Sequence, residues 1–302
     1  MVGRIVGGST VPEGKYPFAV RLEIASGGDD YLCGGTLIAS DLVVTAAHCV
    51  VEPEVSSLFA PEEINVCYGS SSVAAQKCTP AVNVTVHPQY NPTVYSNDIA
   101  LIRIAPLASN NNSNGGVGAA AIYTGKLPEN TTLITMGWGK TSSNSSALPT
   151  TLMSTEIKIG SRSACRQAQP GYQSSDGPDV CTVNALTPGR DSCQGDSGSP
   201  TVVAQGASVL LAALTSSGVD LSNPGAADCA MPNGLAFYTH VYYYMDFITA
   251  TSGRPASAFT GSAKSSGDSA SDGESGDSHS GAATASSAAL AALLLLLMLA
   301  AL

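Results

Sequence analysis

The chain has 302 residues, of which 44% are hydrophobic and 12% charged, and its formal net charge is −10. This acidic balance argues against binding to nucleic-acid phosphates, which needs an excess of Lys and Arg, so we expect no nucleic-acid partner. The length suits one large or two ordinary domains, and all-β chains of this size often form a single unit.

The chain begins with a short leader, "MVGR", directly before Ile5-Val6-Gly7-Gly8. Arg4 either belongs to a solvated terminus or marks a cleavage site, in which case Ile5 would carry a new α-amine. The leader lacks the apolar segment of a secretory signal peptide. Both interpretations stay open until a group that needs this amine is identified.

From Ile5 to about Ala250, short apolar runs are separated by Gly, Pro, Asn and Ser. Several runs, such as "FAVRLEI" and "AVNVTVH", alternate with period two, which favours antiparallel strands in a sandwich or barrel over βαβ units. One helix is predicted in "VYYYMDFITATSG", with its end before Gly253. Its apolar stripe consists of Val241, Met245, Phe247 and Ile248.

The composition changes after residue 251. Residues 252–287 are rich in Ser, Gly, Ala and Asp, which predicts a disordered stalk. Residues 288–302, "AALAALLLLLMLAAL", are apolar but fewer than the ~20 residues of a membrane-spanning helix. A polar spacer before such a tail is typical of a GPI-attachment signal, with a short membrane anchor or an incidental low-complexity end as alternatives. Membrane attachment through this tail is therefore one expectation.

An even number of cysteines, eight, is dispersed along the chain, which predicts four disulfides and an oxidising compartment. Zinc sites are the alternative, but no C-x-x-C or H-x3-5-H spacing is present. Four N-x-[ST] sequons fit glycosylation of a secreted protein. The cysteines are Cys33, Cys49, Cys67, Cys78, Cys165, Cys181, Cys193 and Cys229, and the sequons begin at Asn83, Asn111, Asn130 and Asn144.

Three stretches carry the residue types of nucleophilic catalysis. "VVTAAHCV" contains His48, "YSNDIALIRI" contains Asp98 and "DSCQGDSGSP" contains Ser197. Taken singly, His48 is compatible with a histidine buried in the core, Asp98 with a cap at the start of a strand, and Ser197 with an ordinary turn residue. Taken together, they supply an imidazole base for a serine hydroxyl and a carboxylate that orients the imidazole. Their order does not match the serine, acid, histidine order of α/β-hydrolases.

These stretches resemble the motifs of the chymotrypsin/trypsin family of serine proteases. "IVGG", "TAAHC", "DIALI" and "GDSGSP" occur in the family's order, over about four fifths of the chain. The resemblance implies an all-β fold of two six-stranded antiparallel β-barrels with a C-terminal helix, over residues 5–251, and requires no cofactor or metal. It also implies the disulfides Cys33–Cys49, Cys165–Cys181 and Cys193–Cys229, which leaves Cys67 and Cys78 to pair in the first barrel.

The resemblance also implies a role for each catalytic candidate. His48 would act as general base and then as general acid, Asp98 would orient it, and Ser197 would attack the substrate carbonyl. The backbone N–H groups of Gly195 and Ser197 would form the oxyanion hole.

The same resemblance implies that cleavage of the Arg4–Ile5 bond activates the enzyme. The freed α-amine of Ile5 would turn inward and pair with Asp196, since a buried carboxylate needs a partner. The chain would then be made as a zymogen, and residues 1–4 would be a propeptide remnant.

Specificity is expected from Asp191, which matches the base of the trypsin-like primary pocket. A carboxylate at the base of this pocket selects Arg or Lys side chains. The alternative interpretation is that Asp191 is an exposed aspartate of a loop. Three features depart from the family: Ser217 replaces a tryptophan, the loop from Gly218 to Cys229 is longer, and Ala236 replaces a glycine. The substrate-binding residues expected are Asp191, Gln194, Ser216, Gly218 and Ala236.

The sequence therefore predicts a secreted or surface-attached, monomeric serine endopeptidase. Its expected partners are protein or peptide substrates with Arg or Lys before the cleaved bond, together with protein inhibitors. An inactive homologue that acts as a secreted binding or inhibitory protein is the alternative, and a structural surface protein is a third interpretation. In the family, the backbone of the segment corresponding to Ser216-Ser217-Gly218 pairs with the substrate, and the loss of its tryptophan favours the homologue. The complete set of catalytic candidates favours the enzyme.

Overall fold

The computed structural model describes residues 5–52, 57–108, 116–206, 208–225 and 228–260. Arg4, Asn111 and the predicted stalk and tail beyond residue 260 lie outside these residues. Within them, no helix is long and apolar enough to cross a membrane.

The described chain is mostly β, as predicted. Its strands are β1 (Ser9–Thr10), β2 (Ala19–Ser26), β3 (Asp29–Ala39), β4 (Leu42–Thr45), β5 (Ile64–Tyr68), β6 (Lys77–Val86), β7 (Ala100–Ile104), β8 (Thr132–Gly137), β9 (Met153–Lys158), β10 (Asp179–Val183), β11 (Pro200–Gln205), β12 (Ser208–Asp220) and β13 (Gly234–His240). The α-helices are α1 (Arg162–Cys165) and α2 (Met245–Ser252). Short 3-10 helices cover Ala47–Cys49, Pro61–Glu63, Val73–Ala75, Asn184–Leu186, Val241–Tyr244 and Ala256–Ala258.

The first sheet is a closed six-stranded barrel with the strand order β2-β3-β4-β7-β6-β5. The period-two pattern of "FAVRLEI" places Val20, Leu22 and Ile24 on its inner face, where each is at most 1% exposed. Burial of each such side chain contributes roughly 1.5–3 kcal/mol. The alternation therefore explains which face of β2 points into the core.

The second sheet has the order β1-β9-β8-β11-β12-β13-β10. Strands β9 and β10, which are far apart in this order, meet where Ile159, directly after β9, forms an antiparallel bridge with Thr182 of β10. Gly160 N also donates a hydrogen bond to the Cys181 carbonyl, at 3.0 Å. The six longer strands thus form the expected second barrel, closed through this bridge, and the two-residue β1 is an addition to it.

The predicted C-terminal helix is present as a 3-10 turn, Val241–Tyr244, that continues into α2. Gly253 follows α2 with φ of 70°, a left-handed conformation that suits glycine and ends the helix.

The packed domain continues beyond Gly253. Phe259 is 2% exposed within the core cluster that contains the interior of the first barrel, and Arg254 Nη1 and Nη2 each lie 2.7 Å from the Asp41 carboxylate. A stalk starting at residue 252 is therefore wrong at its first residues, which pack on the domain through residue 260.

All eight cysteines form disulfides. The pairs are those implied by the family resemblance and by the two cysteines it leaves over. One joins α1 to β10 and another joins the facing strands β5 and β6. Each closed loop is expected to stabilise the fold by roughly 2–4 kcal/mol. The pairs are Cys33–Cys49, Cys67–Cys78, Cys165–Cys181 and Cys193–Cys229.

Candidate active site

His48 is held by the 3-10 turn Ala47–Cys49 that follows β4. The Cys33–Cys49 disulfide ties this turn to β3. The His48 Nδ1 lies 2.7 Å from Asp98 Oδ2, and the His48 backbone N–H donates to Asp98 Oδ1 at 2.9 Å. A hydrogen bond from Nδ1 to the carboxylate leaves Nε2 as the ring's basic nitrogen.

Asp98 lies just before β7 and is 1% exposed. Burial raises the pKa of its carboxyl, but the nearby His48 and hydrogen bonds from His48 and Ser216 outweigh burial, so the pKa lies below its ordinary value. Ser216 Oγ donates to Asp98 Oδ2 at 2.6 Å. Asp98 is therefore an ionised carboxylate with its charge compensated by specific donors.

Ser197 lies in the turn before β11, between the two barrels. Its carbonyl accepts a hydrogen bond from Gly34 N of β3 at 2.7 Å, and the next residue, Gly198, donates its N–H to Thr215 O of β12 at 2.7 Å. Gly198 has φ of 74°. A Cβ at this position would lie 2.6 Å from Gly34 O, so only glycine fits the turn.

The candidate oxyanion hole consists of the N–H groups of Gly195 and Ser197. Gly195 has φ of 91°, which favours glycine and turns the chain sharply before the serine. In the described part of the chain, no hydrogen bond uses either of these two N–H groups. They are therefore available to an incoming acceptor.

One cavity of about 430 Å³ brings the candidates together. His48 and Ser197 line it, with Tyr95 placed edge-on to the His48 ring at 5.4 Å between centroids. The cavity is also lined by every residue that the sequence suggested for substrate binding. These are Asp191, Gln194, Ser216, Gly218 and Ala236.

Asp191 is buried in the wall of this cavity, at 7% exposure. Its Oδ2 accepts hydrogen bonds from Asn184 Nδ2 and Ala230 N, and its Oδ1 accepts one from Ser192 N, each at 2.9 Å. Burial raises the pKa of Asp191 despite these donors. Among the described residues Asp191 has no salt bridge, so its carboxylate is available to a cation.

Asp196 is fully buried next to Ser197. Its carboxylate accepts hydrogen bonds from Gly139 N at 2.7 Å and Cys193 N at 2.9 Å, yet burial raises its pKa to about 7. Across the part of the chain that the structure describes, no salt bridge involves Asp196. Ile5 is also fully buried. The site therefore contains a buried acid with hydrogen bonds but no counter-charge.

Sequence reasoning missed two supporting residues. Ser216 was expected only to bind substrate, but its side chain also holds Asp98. Asn184 was not singled out, although its amide fixes Asp191. The contact of Ser216 spans 118 positions, so only the fold brings its two partners together. Asn184 lies seven positions before Asp191, but its 3-10 turn is not part of any of the sequence motifs described above.

Comparison with known proteins gives a consistent set of relatives. The trypsin family model matches residues 5–248. The chain is 34% identical over 248 residues to "Serine protease 1" of Rattus norvegicus, covering 82% of this chain and 89% of that protein. It is 32% identical over 248 residues to "Trypsin" of Sus scrofa, with 82% and 95% covered. It is also 30% identical over 246 residues to "Trypsin Tyr p 3.0101" of Tyrophagus putrescentiae, with 82% and 79% covered.

Proposed function

Because this chain belongs to the trypsin family of serine proteases, we propose that it is a serine endopeptidase that cleaves after Arg or Lys. One observation carries the proposal. The paired His48 and Asp98 and the turn of Ser197 meet at a single cavity whose wall contains the buried carboxylate of Asp191.

The proposed reaction follows from these positions. His48 Nε2 accepts the proton of Ser197 Oγ as this oxygen bonds to the substrate carbonyl carbon, and the carbonyl oxygen becomes an oxyanion. The N–H groups of Gly195 and Ser197 stabilise that charge. His48 then protonates the leaving amine as the C–N bond breaks, which leaves an acyl-enzyme. In the second half, His48 takes a proton from water as the water attacks this ester, and it returns the proton to Ser197 Oγ as the acid leaves. Asp98 stabilises the imidazolium throughout.

Asp191 supports the proposed preference for basic side chains. A cation in the cavity would add the counter-charge that Asn184, Ser192 and Ala230 do not supply. A neutral side chain would leave the carboxylate buried without a cation, which lowers its binding relative to Arg or Lys. Ala236 adds a methyl group to the same wall and is expected to favour Lys over Arg.

Asp196 supports activation by cleavage at Arg4–Ile5. A pKa raised to about 7 shows how unfavourable the buried charge is without a cation. An ammonium group on Ile5 would remove this cost and would hold the turn that carries Gly195 and Ser197. Arg4 fits the enzyme's own proposed specificity, so activated molecules could cleave the zymogen.

The protein is proposed to be secreted or attached to the cell surface. Four disulfides suit an oxidising compartment. Asn83, Asn130 and Asn144 are exposed and suitable for glycosylation. The polar segment after residue 260 and the apolar residues 288–302 would form a stalk and a GPI-type signal or short anchor. We propose a monomer, with protein substrates and protein inhibitors as its partners.

Hydrolysis of matched fluorogenic peptides ending in Arg, Lys, Phe or Ala tests the proposal. The intact chain is compared with one cut at Arg4–Ile5, and the cut Ser197→Ala variant is the blank. We expect activity only after the cut and only on the Arg and Lys peptides. Asp191→Ser is expected to abolish the preference for basic residues without removing the reactivity of Ser197 towards a fluorophosphonate.

An inactive homologue predicts a different result. Folded, cut protein that neither hydrolyses any peptide nor labels at Ser197 with the fluorophosphonate would overturn the endopeptidase and favour a binding protein. Labelling without a preference for Arg or Lys would retain the protease and overturn only the role of Asp191.

A further inference from the structure

A second cavity of about 540 Å³ lies beside the primary one. Residues 216–219 of β12 line both cavities and form their shared wall. The remaining walls of the second cavity, which we call the side pocket, come from Tyr95, from Gln169 and Pro170 after α1, and from Asp179 and Phe237 of the second sheet. No described residue that lines the side pocket is a Lys or Arg.

Ser217 provides the space for this pocket. It stands at the position where the family resemblance places a tryptophan, and it pairs with Phe237 across β12 and β13. An indole ring at this position would occupy volume that a hydroxymethyl group leaves empty. The substitution therefore opens a path from the substrate-facing edge of β12 towards Asp179, in the first position of β10.

Two partly buried residues that line the side pocket, Gln169 and Asp179, carry hydrogen-bond acceptors. Gln169 Nε2 donates to Asp179 Oδ2 at 2.9 Å, which orients the amide and leaves Gln169 Oε1 buried without a hydrogen-bond partner among the described residues. Burial raises the pKa of Asp179, and the Asp98 carboxylate raises it further. No salt bridge to Asp179 occurs in the described ranges. A carboxylate beside an unused amide oxygen favours a ligand that is both cationic and a hydrogen-bond donor.

Other residues that line the side pocket have a different chemistry. Val94, Pro170 and Phe237 provide apolar surface, and Tyr95, a residue that is 41% exposed, adds an aromatic side chain. Long basic side chains combine an apolar stem with a charged end, so a pocket with both apolar surface and a carboxylate matches them. The ring of Tyr95 also adds a surface that attracts cations.

We propose that the side pocket binds the Lys or Arg side chain of a second substrate residue, upstream of the residue that enters the primary cavity. This inference rests on the proposed function. The substrate strand is expected to pair with residues 216–218, and side chains alternate along such a strand, so an upstream residue passes over Ser217. Asp179 and Gln169 are then specificity residues for substrates that carry two basic side chains close together.

Peptide binding to the cut Ser197→Ala variant tests this inference without any chemical step. Fluorescent peptides carry Arg before the scissile bond and either Lys or norleucine at one of the three preceding positions. Norleucine has the same four-carbon stem as Lys but no ammonium group. At one position we expect Lys to lower Kd about tenfold relative to norleucine, the size expected for one partly buried charge pair.

Second substitutions in this background identify the pocket. Asp179→Asn is expected to bring the Lys-to-norleucine ratio close to one, and Ser217→Trp is expected to do the same by filling the space. The charge-matched control is Glu62→Gln, an exposed carboxylate outside the residues of both cavities, which should retain the tenfold ratio. Thermal unfolding shows whether each variant is folded.

Two results would overturn the side pocket. Equal binding of Lys and norleucine peptides at all three positions is one, and a tenfold ratio that persists in folded Asp179→Asn or Ser217→Trp is the other. Failure of the proposed function is a separate result, since it appears as absence of Ser197-dependent hydrolysis and labelling. Binding and hydrolysis therefore test the two proposals independently.

Discussion

Ser216 Oγ and His48 Nδ1 share one acceptor, Oδ2 of Asp98, at 2.6 and 2.7 Å. The first contact spans 118 positions of the sequence and joins β12 to the segment before β7. The carboxylate is thus fixed from both barrels. Its orientation depends on how the second sheet packs against the first, and so does that of the imidazole.

Removal of the Ser216 hydroxyl tests this shared acceptor. We expect Ser216→Ala to lower kcat on an Arg peptide about five- to tenfold, because one charge-assisted hydrogen bond to Asp98 is lost. KM should change little, since the backbone of residue 216 is retained. Ser216→Thr keeps the hydroxyl and should restore most of kcat. An unchanged kcat in folded Ser216→Ala would show that His48 alone orients Asp98.

Asp196 predicts how the stability of the uncut chain changes with pH. Its folded pKa of about 7 lies above its ordinary value of 3.8, so the folded state holds the proton more tightly than the unfolded state. This contribution is fully present below about pH 4 and is lost as the pH rises through about 7, with a total of up to about 4 kcal/mol. Asp196→Asn should remove it.

Unfolding in urea between pH 4.5 and 8 measures this effect. The uncut wild type should lose more stability across that range than uncut Asp196→Asn. Cleavage at Arg4–Ile5 should reduce the loss in the wild type, because the new ammonium group would stabilise the charged carboxylate. Identical pH slopes for uncut wild type and Asp196→Asn would contradict the raised pKa.

Substitutions at Gly198 and Gly206 test whether the turn of Ser197 needs glycine for its backbone conformation or for the space around it. Both have positive φ, of 74° and 60°, but a Cβ on Gly198 would meet Gly34 O and Ala46 N at 2.6 and 3.0 Å, whereas one on Gly206 would meet nothing within 4 Å. We expect Gly206→Ala to cost about 1–2 kcal/mol of stability and little activity. Gly198→Ala should displace the serine and lower kcat about a hundredfold or more.

Activity per correctly folded molecule, with folding checked by near-ultraviolet circular dichroism, separates the two variants. Similar activity losses in Gly198→Ala and Gly206→Ala would mean that backbone strain alone matters and that the close approach to Gly34 does not.

Arg254 predicts how strongly the segment after α2 is attached. Its two NH groups both lie 2.7 Å from Asp41, whereas Arg103 makes a single contact at 3.3 Å with the same carboxylate. Arg254 is the main cause of the lowered pKa of Asp41. We expect Arg254→Ala to cost about 1 kcal/mol, since the pair is partly exposed, and Arg103→Ala to cost less.

Urea unfolding at neutral pH compares these variants. The Arg254 contribution should decline as the pH falls through the lowered pKa of Asp41, because protonation removes the acceptor charge. Equal costs for Arg254→Ala and Arg103→Ala would contradict the importance of the two-point contact.

Local patterns in the sequence were sufficient for strands such as β2 and β6 and for α2. Val20, Leu22 and Ile24 follow the period of a strand, and Gly253 ends the helix with the left-handed conformation that glycine permits. Such features depend on residues close together in the chain, so they can be read without knowledge of the tertiary structure.

Contacts between distant segments could not be predicted in this way. Ser216 and Asp98 are 118 positions apart and approach because β12 packs beside the segment before β7, and neither residue is marked by its own stretch as a partner of the other. The end of the domain was misplaced for a related reason. A single aromatic residue, Phe259, continues the core inside a segment whose average composition is polar.

The contact between Asp41 and Arg254 also bears on the order in which the chain can fold. Its partners are 213 positions apart, and the Phe259 carbonyl accepts the N–H of Ile122, a residue that also bridges Leu211 of β12. During synthesis, the barrel made first cannot complete its core until nearly all of the domain has emerged. Apolar surface on the early barrel therefore stays uncovered during translation, so a nascent chain halted before residue 254 should remain a substrate for chaperones.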